Sequence, residues 1–292
     1  MKKLFMAVIA LMMTISASAQ FYIYFSDGTV AKVDSISMVA PAVKGQFSVS
    51  PTKQVIFSSG NLQYHPQNDE WRFAENQTDY IGEDNQYIAV DYDGWIDLFG
   101  WSGSTSAAKF GVSSSINYDD YAGDFVDWGV NQIGEDAPNT WRTLLTEEWV
   151  YLLENRPYAN LLYGMAQVNG VNGLILLPDD WTCPAEITFR SGIPLEQDGN
   201  TVYQLVDQSE WSIIEQTGAV FLPASGERYG KELLYLNDVG HYWSSTDADS
   251  CNAFRMYFFT GLGIKPENGA IVPQSANHRF YGWAVRLAKD VQ

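Results

Sequence analysis

The residues of this chain that could do chemistry gather near its end. The stretch "HYWSSTDADSCNAFRMYFFTG" (241–261) sets carboxylates, amides, a thiol and a guanidinium between two aromatic runs. Asp247, Asp249 and Asn252 supply oxygen acceptors, and Arg255 and Tyr257 follow in an alternating segment. A second polar and aromatic stretch, "QSANHRFYG" (274–282), adds Asn277, His278, Arg279 and Tyr281. Arginine and tyrosine are the side chains that most often anchor interfaces, so these nine residues form a candidate ligand face. If 252–258 is a strand, Phe254, Met256 and Phe258 lie on one side and Ala253, Arg255 and Tyr257 on the other. Arg255 and Tyr257 are then expected to point away from the core.

Catalytic signatures are missing. The chain has no G-x-S-x-G elbow, no Walker A loop, no H-E-x-x-H helix and no G-x-G-x-x-G strand-turn. His65, His241 and His278 show no metal-ligand spacing, so no metal and no cofactor is expected. Adjacent carboxylates such as Glu147/Glu148, Asp119/Asp120 and Asp179/Asp180 point different ways and are solvated. A glycosidase pair is assembled by the fold rather than by adjacency, so that chemistry stays open at this level. The expectation is a protein that is not an enzyme.

The first residues explain where such a protein works. Lys2-Lys3, the apolar run "LFMAVIALMM" and Ala17-Ser18-Ala19 have the three parts of a secretory signal peptide, 1–19. The run is too short to span a bilayer, so no transmembrane anchor is expected. Cleavage would leave Gln20 first. The whole chain carries a charge of −18. That acidity opposes binding to nucleic acid and to anionic lipid heads. Export also places Cys183 and Cys251 where disulfides form, and a bond between them is expected.

The positioning elements can be read from pattern. Phe21–Phe25 and Thr29–Val33 flank an Asp27-Gly28 turn, so 20–45 reads as a small β-hairpin and linker. Residues 79–128 are rich in Gly, Asp and aromatics without a helical period, and read as loops and short strands pinned by buried Trp and Phe. A helix starts with Thr146 as its N-cap, with Trp149, Leu152 and Leu153 on one face, and stops at Asn155-Arg156-Pro157. A second, Gln208–Gln216, has Asp207 and Glu210 as a capping box and Gly218 as its stop. Strands are expected at 173–178, 219–223, 242–245, 252–258 and 281–287. The fold class is α+β.

Five segments appear in an order that resembles a known family. They are "WRTLLTEEWVYLL" (141–153), "GLILLPDDWTCP" (173–184), "AVFLPASGERYG" (219–230), "YWSSTDADSCNAFRMYF" (242–258) and "YGWAVRL" (281–287). Together they resemble the C-type-lectin-like fold of exported bacterial paralogous domains, phage tropism determinants and formylglycine-generating enzymes. The resemblance implies a domain over 46–292 whose first and last strands pair and whose final region binds ligand. The calcium-binding E-P-N or Q-P-D and W-N-D motifs of the sugar-binding members are absent here, as is a closely spaced cysteine pair. The resemblance therefore implies an exported, non-enzymatic binding or adhesion protein in the periplasm or on the surface of a Gram-negative bacterium. Its partner would be a protein or a glycan. The rival readings are an extracellular carbohydrate-active enzyme and a structural subunit of a surface assembly such as a pilus tip. A shallow aromatic face favours binding, close carboxylates in a deep cleft favour an enzyme, and an unpaired strand edge favours assembly.

Overall fold

The computed structural model describes residues 43–192, 204–260 and 271–291, and the backbone alone at 21–24, 30–33, 195–197 and 200–202. The expected leader, 1–19, lies outside the described residues. The chain divides into two compact units, Met1–Ala40 and Pro41–Gln292. The first holds an antiparallel hairpin of β1 (Phe21–Tyr24) and β2 (Val30–Val33), pairing Phe21 with Val33 and Tyr24 with Val30. The end of the expected linker belongs to the second unit. Val43 is buried there, and its N–H donates to the Phe57 carbonyl.

The second unit mixes short strands with two short α-helices. In chain order its first strands are β3 (Phe47–Ser50), β4 (Lys53–Phe57), β5 (Leu62–His65) and β6 (Glu70–Phe73). A long irregular stretch leads to α1 (Thr146–Val150), then β7 (Tyr163–Val168) and β8 (Val171–Leu176). Next come β9 (Leu195–Gln197), β10 (Asn200–Val202), β11 (Gln204–Val206) and α2 (Gln208–Gln216). The chain ends with β12 (Val220–Pro223), β13 (Glu227–Tyr229), β14 (Glu232–Leu234), β15 (Val239–Asp247), β16 (Asn252–Phe259), β17 (Ile271–His278) and β18 (Ala288–Asp290). This is an α+β architecture. The principal sheets run β11-β7-β8-β12, β15-β16-β17 and β18-β4-β3. The last of these joins the two ends of the unit, with Ala288 opposite Phe57 and Asp290 opposite Val55.

The second helix forms as its caps dictate. The Asp207 carboxylate accepts from the Ser209 and Glu210 N–H groups, and Glu210 accepts in return from the Asp207 N–H. Gly218 closes it at φ +90°, where a side chain would be strained. The first helix begins at Thr146 as expected, but Thr146 is not its cap. Leu145 is its N-cap, and Glu148 takes the Leu145 N–H at 2.9 Å. Thr146 sits inside the helix because its hydroxyl is claimed elsewhere, by Ser244 Oγ at 2.7 Å. Beyond Val150 the helix widens into a π-turn over Tyr151–Asn155 that keeps Leu152 and Leu153 in the core.

Three large apolar clusters fill the second unit, with a fourth, small one of Ala108, Tyr121 and Phe280 against which Tyr229 and Tyr281 pack. One lies under α1 and the β7-β8-β12 face, and includes Phe47, Phe57, Trp149, Tyr242, Met256 and Phe258. Another packs α2 through Trp211 and Ile214 onto Ile175 and Phe221. The third holds six tryptophans: Trp71, Trp101, Trp128, Trp141, Trp243 and Trp283. Buried indoles need acceptors. Trp101 donates to the Ser244 carbonyl, Trp128 to Phe110, and Trp243 to Phe99. These bonds pin the irregular 79–128 stretch, as its composition predicts.

The expected strand at 281–287 is not regular. Gly282, Trp283 and Ala284 instead make single bridges to Arg228, Phe99 and Tyr242. The chain threads between three neighbours there, so no one partner carries a ladder. Regular pairing begins only at β18.

Candidate functional site

The β15–β16 hairpin carries most of the candidate face, and its two sides are both covered. Alternation holds: Met256 and Phe258 enter the first cluster, while Ala253 faces the tryptophans. The expectation that Arg255 and Tyr257 face solvent does not hold. They are only 8% and 9% exposed. The reason is a second layer, formed by His241, Glu227 and Trp283, lying over that side of the strand. Strand alternation separates the two sides but says nothing about whether a later segment covers one of them.

Arg255 lies over two rings. Its guanidinium carbon is 4.3 Å from the Trp283 centroid and 4.7 Å from that of Tyr257. Its Nε donates to His241 Nδ1 at 3.0 Å, and Nη1 donates to Ser275 Oγ at 3.2 Å. An Nδ1 that accepts leaves the proton of neutral imidazole on Nε2. That Nε2 lies 3.5 Å from Glu227 Oε2, which also accepts from Trp283 Nε1 at 3.1 Å. Burial, and then the neighbouring Arg255 charge, hold the His241 pKa well below its usual value. Burial also raises the Glu227 pKa, opposed by the Trp283 bond and by Arg255. Arg255 is itself lowered to about 10 by burial. Glu227, His241 and Arg255 thus form a packed polar base under the rings.

The rings continue outward from this base. His241 stacks on Trp283 at 5.0 Å and 17°. Trp283 is parallel to Tyr281 at 5.4 Å and 5°, and Tyr281 to His278 at 6.4 Å and 2°. Tyr229 lies 5.6 Å from Tyr281, and Tyr118 lies 4.9 Å from His278. The Tyr118 hydroxyl meets His278 Nε2 at 3.3 Å. Trp283 is fully buried, Tyr281 and His278 are half-buried, and Tyr118 is 40% exposed. The ladder therefore runs from core to surface.

Of the nine expected residues, the fold brings Arg255, Tyr257, His278 and Tyr281 together here. Asn277 adjoins them and uses its Oδ1 on the His278 N–H. The other four, Asp247, Asp249, Asn252 and Arg279, belong to the hairpin tip. Asp249 accepts from the Cys251 and Asn252 N–H groups and from the Asn252 amide, which makes a closed turn. Arg279 is buried over the Trp101 ring at 4.1 Å and donates to the Asp249, Asn252 and Gly123 carbonyls. It holds the tip down, with its donors spent on carbonyls of the chain. Asp247 and Asp249 remain exposed.

Pattern reading missed Glu227, Tyr229, His241 and Tyr118. The "ERY" of β13 carried a usable signal: Glu227 and Tyr229 alternate around Arg228, so they share one face while Arg228 is buried on the other. Tyr118 lies in an irregular loop and had no such signal.

The expected Cys183–Cys251 disulfide is not present, and both thiols are free. Each serves its own neighbourhood. Cys183 Sγ donates to the Ile187 carbonyl, next to Trp181, whose indole bonds Thr217. Cys251 sits in the hairpin tip, where its carbonyl accepts from the Arg279 N–H. Shared compartment does not bring two loops together.

Two cavities lie away from the ladder. One, of ≈ 330 Å³, is lined by exposed Glu75 and Glu215 with Gln77 and Ser59; the other, of ≈ 550 Å³, by Trp141, Arg142 and Asp290. Among the described residues no three His, Cys, Asp or Glu side chains are placed to hold a metal ion, and no helix is long and apolar enough to cross a membrane. A comparison of the chain with protein-family models, curated proteins and solved structures found no match.

Proposed function

We propose that this is an exported, non-enzymatic binding or adhesion protein with a C-type-lectin-like second unit, which holds its ligand on the face of Tyr118, Tyr229, His278 and Tyr281. The observation that carries this reading is the ring ladder. Half-exposed tyrosines are set on a buried base of Trp283, His241, Arg255 and Glu227. Rings fixed in this way lose little freedom when a ligand covers them, and tyrosine offers both a flat apolar face and a hydroxyl. The pairing of β18 with β4 and the order of the sequence motifs support the proposed fold. The leader pattern at 1–19 supports export to the periplasm or cell surface.

The carboxylates with displaced pKa values support binding over catalysis. Asp97 is buried and Asp127 half-buried, and their oxygens are spent on backbone N–H groups and neighbouring side chains. Glu227 is held beneath aromatic rings, where its Oε2 accepts from the Trp283 indole. The assembly reading has less support, because several strand edges are taken by side chains. Asp179 accepts the Ser48 N–H, and Gln77 accepts the Phe221 N–H.

The test is a mixed panel of immobilised glycans and peptides probed with the mature chain. A triple variant, Tyr118→Ala, Tyr229→Ala and Tyr281→Ala, is run in parallel. Ligands captured by the parent and lost by the folded variant support the face. Capture that the triple variant retains in full removes it.

A further inference from the structure

We infer that the aromatic face takes a cationic side chain, a lysine or arginine of a basic protein segment, with Glu227 and Glu232 as its counter-charges. This deepens the proposed binding reading and rests on it.

Four observations carry the inference. Glu227 is only 13% exposed at its side chain, and its Oε1 accepts no hydrogen bond among the described residues. A largely dehydrated carboxylate with a free oxygen gains most from an incoming cation. Second, β13 and β14 pair Tyr229 with Glu232 and Glu227 with Leu234, so two carboxylates, a ring and an apolar side chain share one strand face. Third, the donors beneath the face are already used. Arg255 is spent on His241 and Ser275, Trp283 Nε1 on Glu227, and His278 Nε2 on Tyr118. What remains outward is π surface, carboxylate oxygen and the Tyr229 and Tyr281 hydroxyls, an environment of acceptors and negative charge that suits a cation. Fourth, the inner rings already hold a guanidinium in this way, since Arg255 lies over Trp283 and Tyr257. Tyr281 and Tyr229 repeat that environment one step nearer the surface, without an internal cation on them. The chain's charge of −18 adds long-range attraction for a basic partner.

The probe is an acetylated, amidated peptide that alternates glycine with lysine and arginine. Its twin carries glutamine at every basic position. Binding to the full mature chain is followed by calorimetry, on the parent and on Glu227→Gln, Glu232→Gln, Tyr281→Leu and Glu186→Gln. Glu186 is exposed and lies outside the face, so its variant reports general attraction by an acidic surface. Gln at 227 keeps an oxygen for the Trp283 indole, and melting temperature verifies folding of each variant. The expected result is binding of the basic peptide and at least tenfold weaker binding of its twin. Tyr281→Leu and Glu227→Gln should each weaken the basic peptide by about five- to thirty-fold, with Glu186→Gln near the parent. Equal binding of the twin overturns the inference, as does an equal loss in Glu186→Gln. A neutral glycan whose binding is lost in Tyr281→Leu overturns the cation while leaving the binding face intact. If Tyr281→Leu alters the binding of neither peptide nor glycan, both readings fall.

Discussion

Asp97 is a fully buried carboxyl group, and its protonation should be visible in the stability of the fold. Asn85 holds it on both sides. The Asn85 amide donates to Asp97 Oδ1 at 2.8 Å, and its Oδ1 accepts from the Asp97 and Leu98 N–H groups. Asp97 Oδ2 takes the Ile81 N–H at 2.9 Å. These bonds favour the charged form, but burial outweighs them and raises the pKa from 3.8 to about 6. An acid with a raised folded pKa binds its proton more tightly in the folded state. Its stabilising contribution is therefore full below the unfolded pKa and is lost as pH rises through the folded value. A rise of about two pKa units corresponds to about 3 kcal/mol, lost mainly between about pH 4 and pH 6. The perturbation is Asp97→Asn, which removes the titration. Its NH2 group must oppose a donor in either orientation, the Asn85 amide or the Ile81 N–H, so the variant should be less stable throughout. The informative quantity is the parent-minus-variant difference in urea unfolding free energy, measured across that window. It should fall by about 3 kcal/mol from the acid to the neutral side. Other carboxylates titrate alike in both proteins and cancel. Parallel profiles would falsify the assignment, and a difference that grows with pH would mean that the bonds outweigh burial.

Three further outcomes are expected. Trp283→Ala removes a fully buried ring from between His241 and Tyr281, and should lower stability by about 3–5 kcal/mol in denaturant titration. With both thiols free, excess reductant should leave the melting temperature unchanged, and two thiols per chain should alkylate in denaturant without prior reduction; one disulfide's worth of protected sulfur counts against the structure. Amino-terminal sequencing of the exported protein should begin at Gln20 or its cyclised form, and an intact Met1 in a membrane fraction counts against a cleaved leader.

Local features were legible where the signal is itself local. The Asp207/Glu210 box and Gly218 bound α2 because capping depends on residues three or four apart. The alternation of 252–258 separates its two sides correctly for the same reason. The 281–287 segment misled because its apolar letters match a strand, while its partners are three separate elements. Thr146 misled because its hydroxyl is bonded to Ser244, which is distant in sequence.

The sequence alone determined most of the short-range elements, the α+β class and the acidity. These depend on composition and on the period of neighbouring residues. Only tertiary structure decided which groups reach the candidate face. Whether Arg255 is solvated or enclosed depends on Glu227, His241 and Trp283, which approach it from other segments of the chain. Burial then shifts the protonation of Glu227, His241 and Arg255, a many-body effect that no spacing records. Tyr118 joins His278 across 160 positions because an irregular loop, pinned by buried tryptophans, returns to the edge of the sheet.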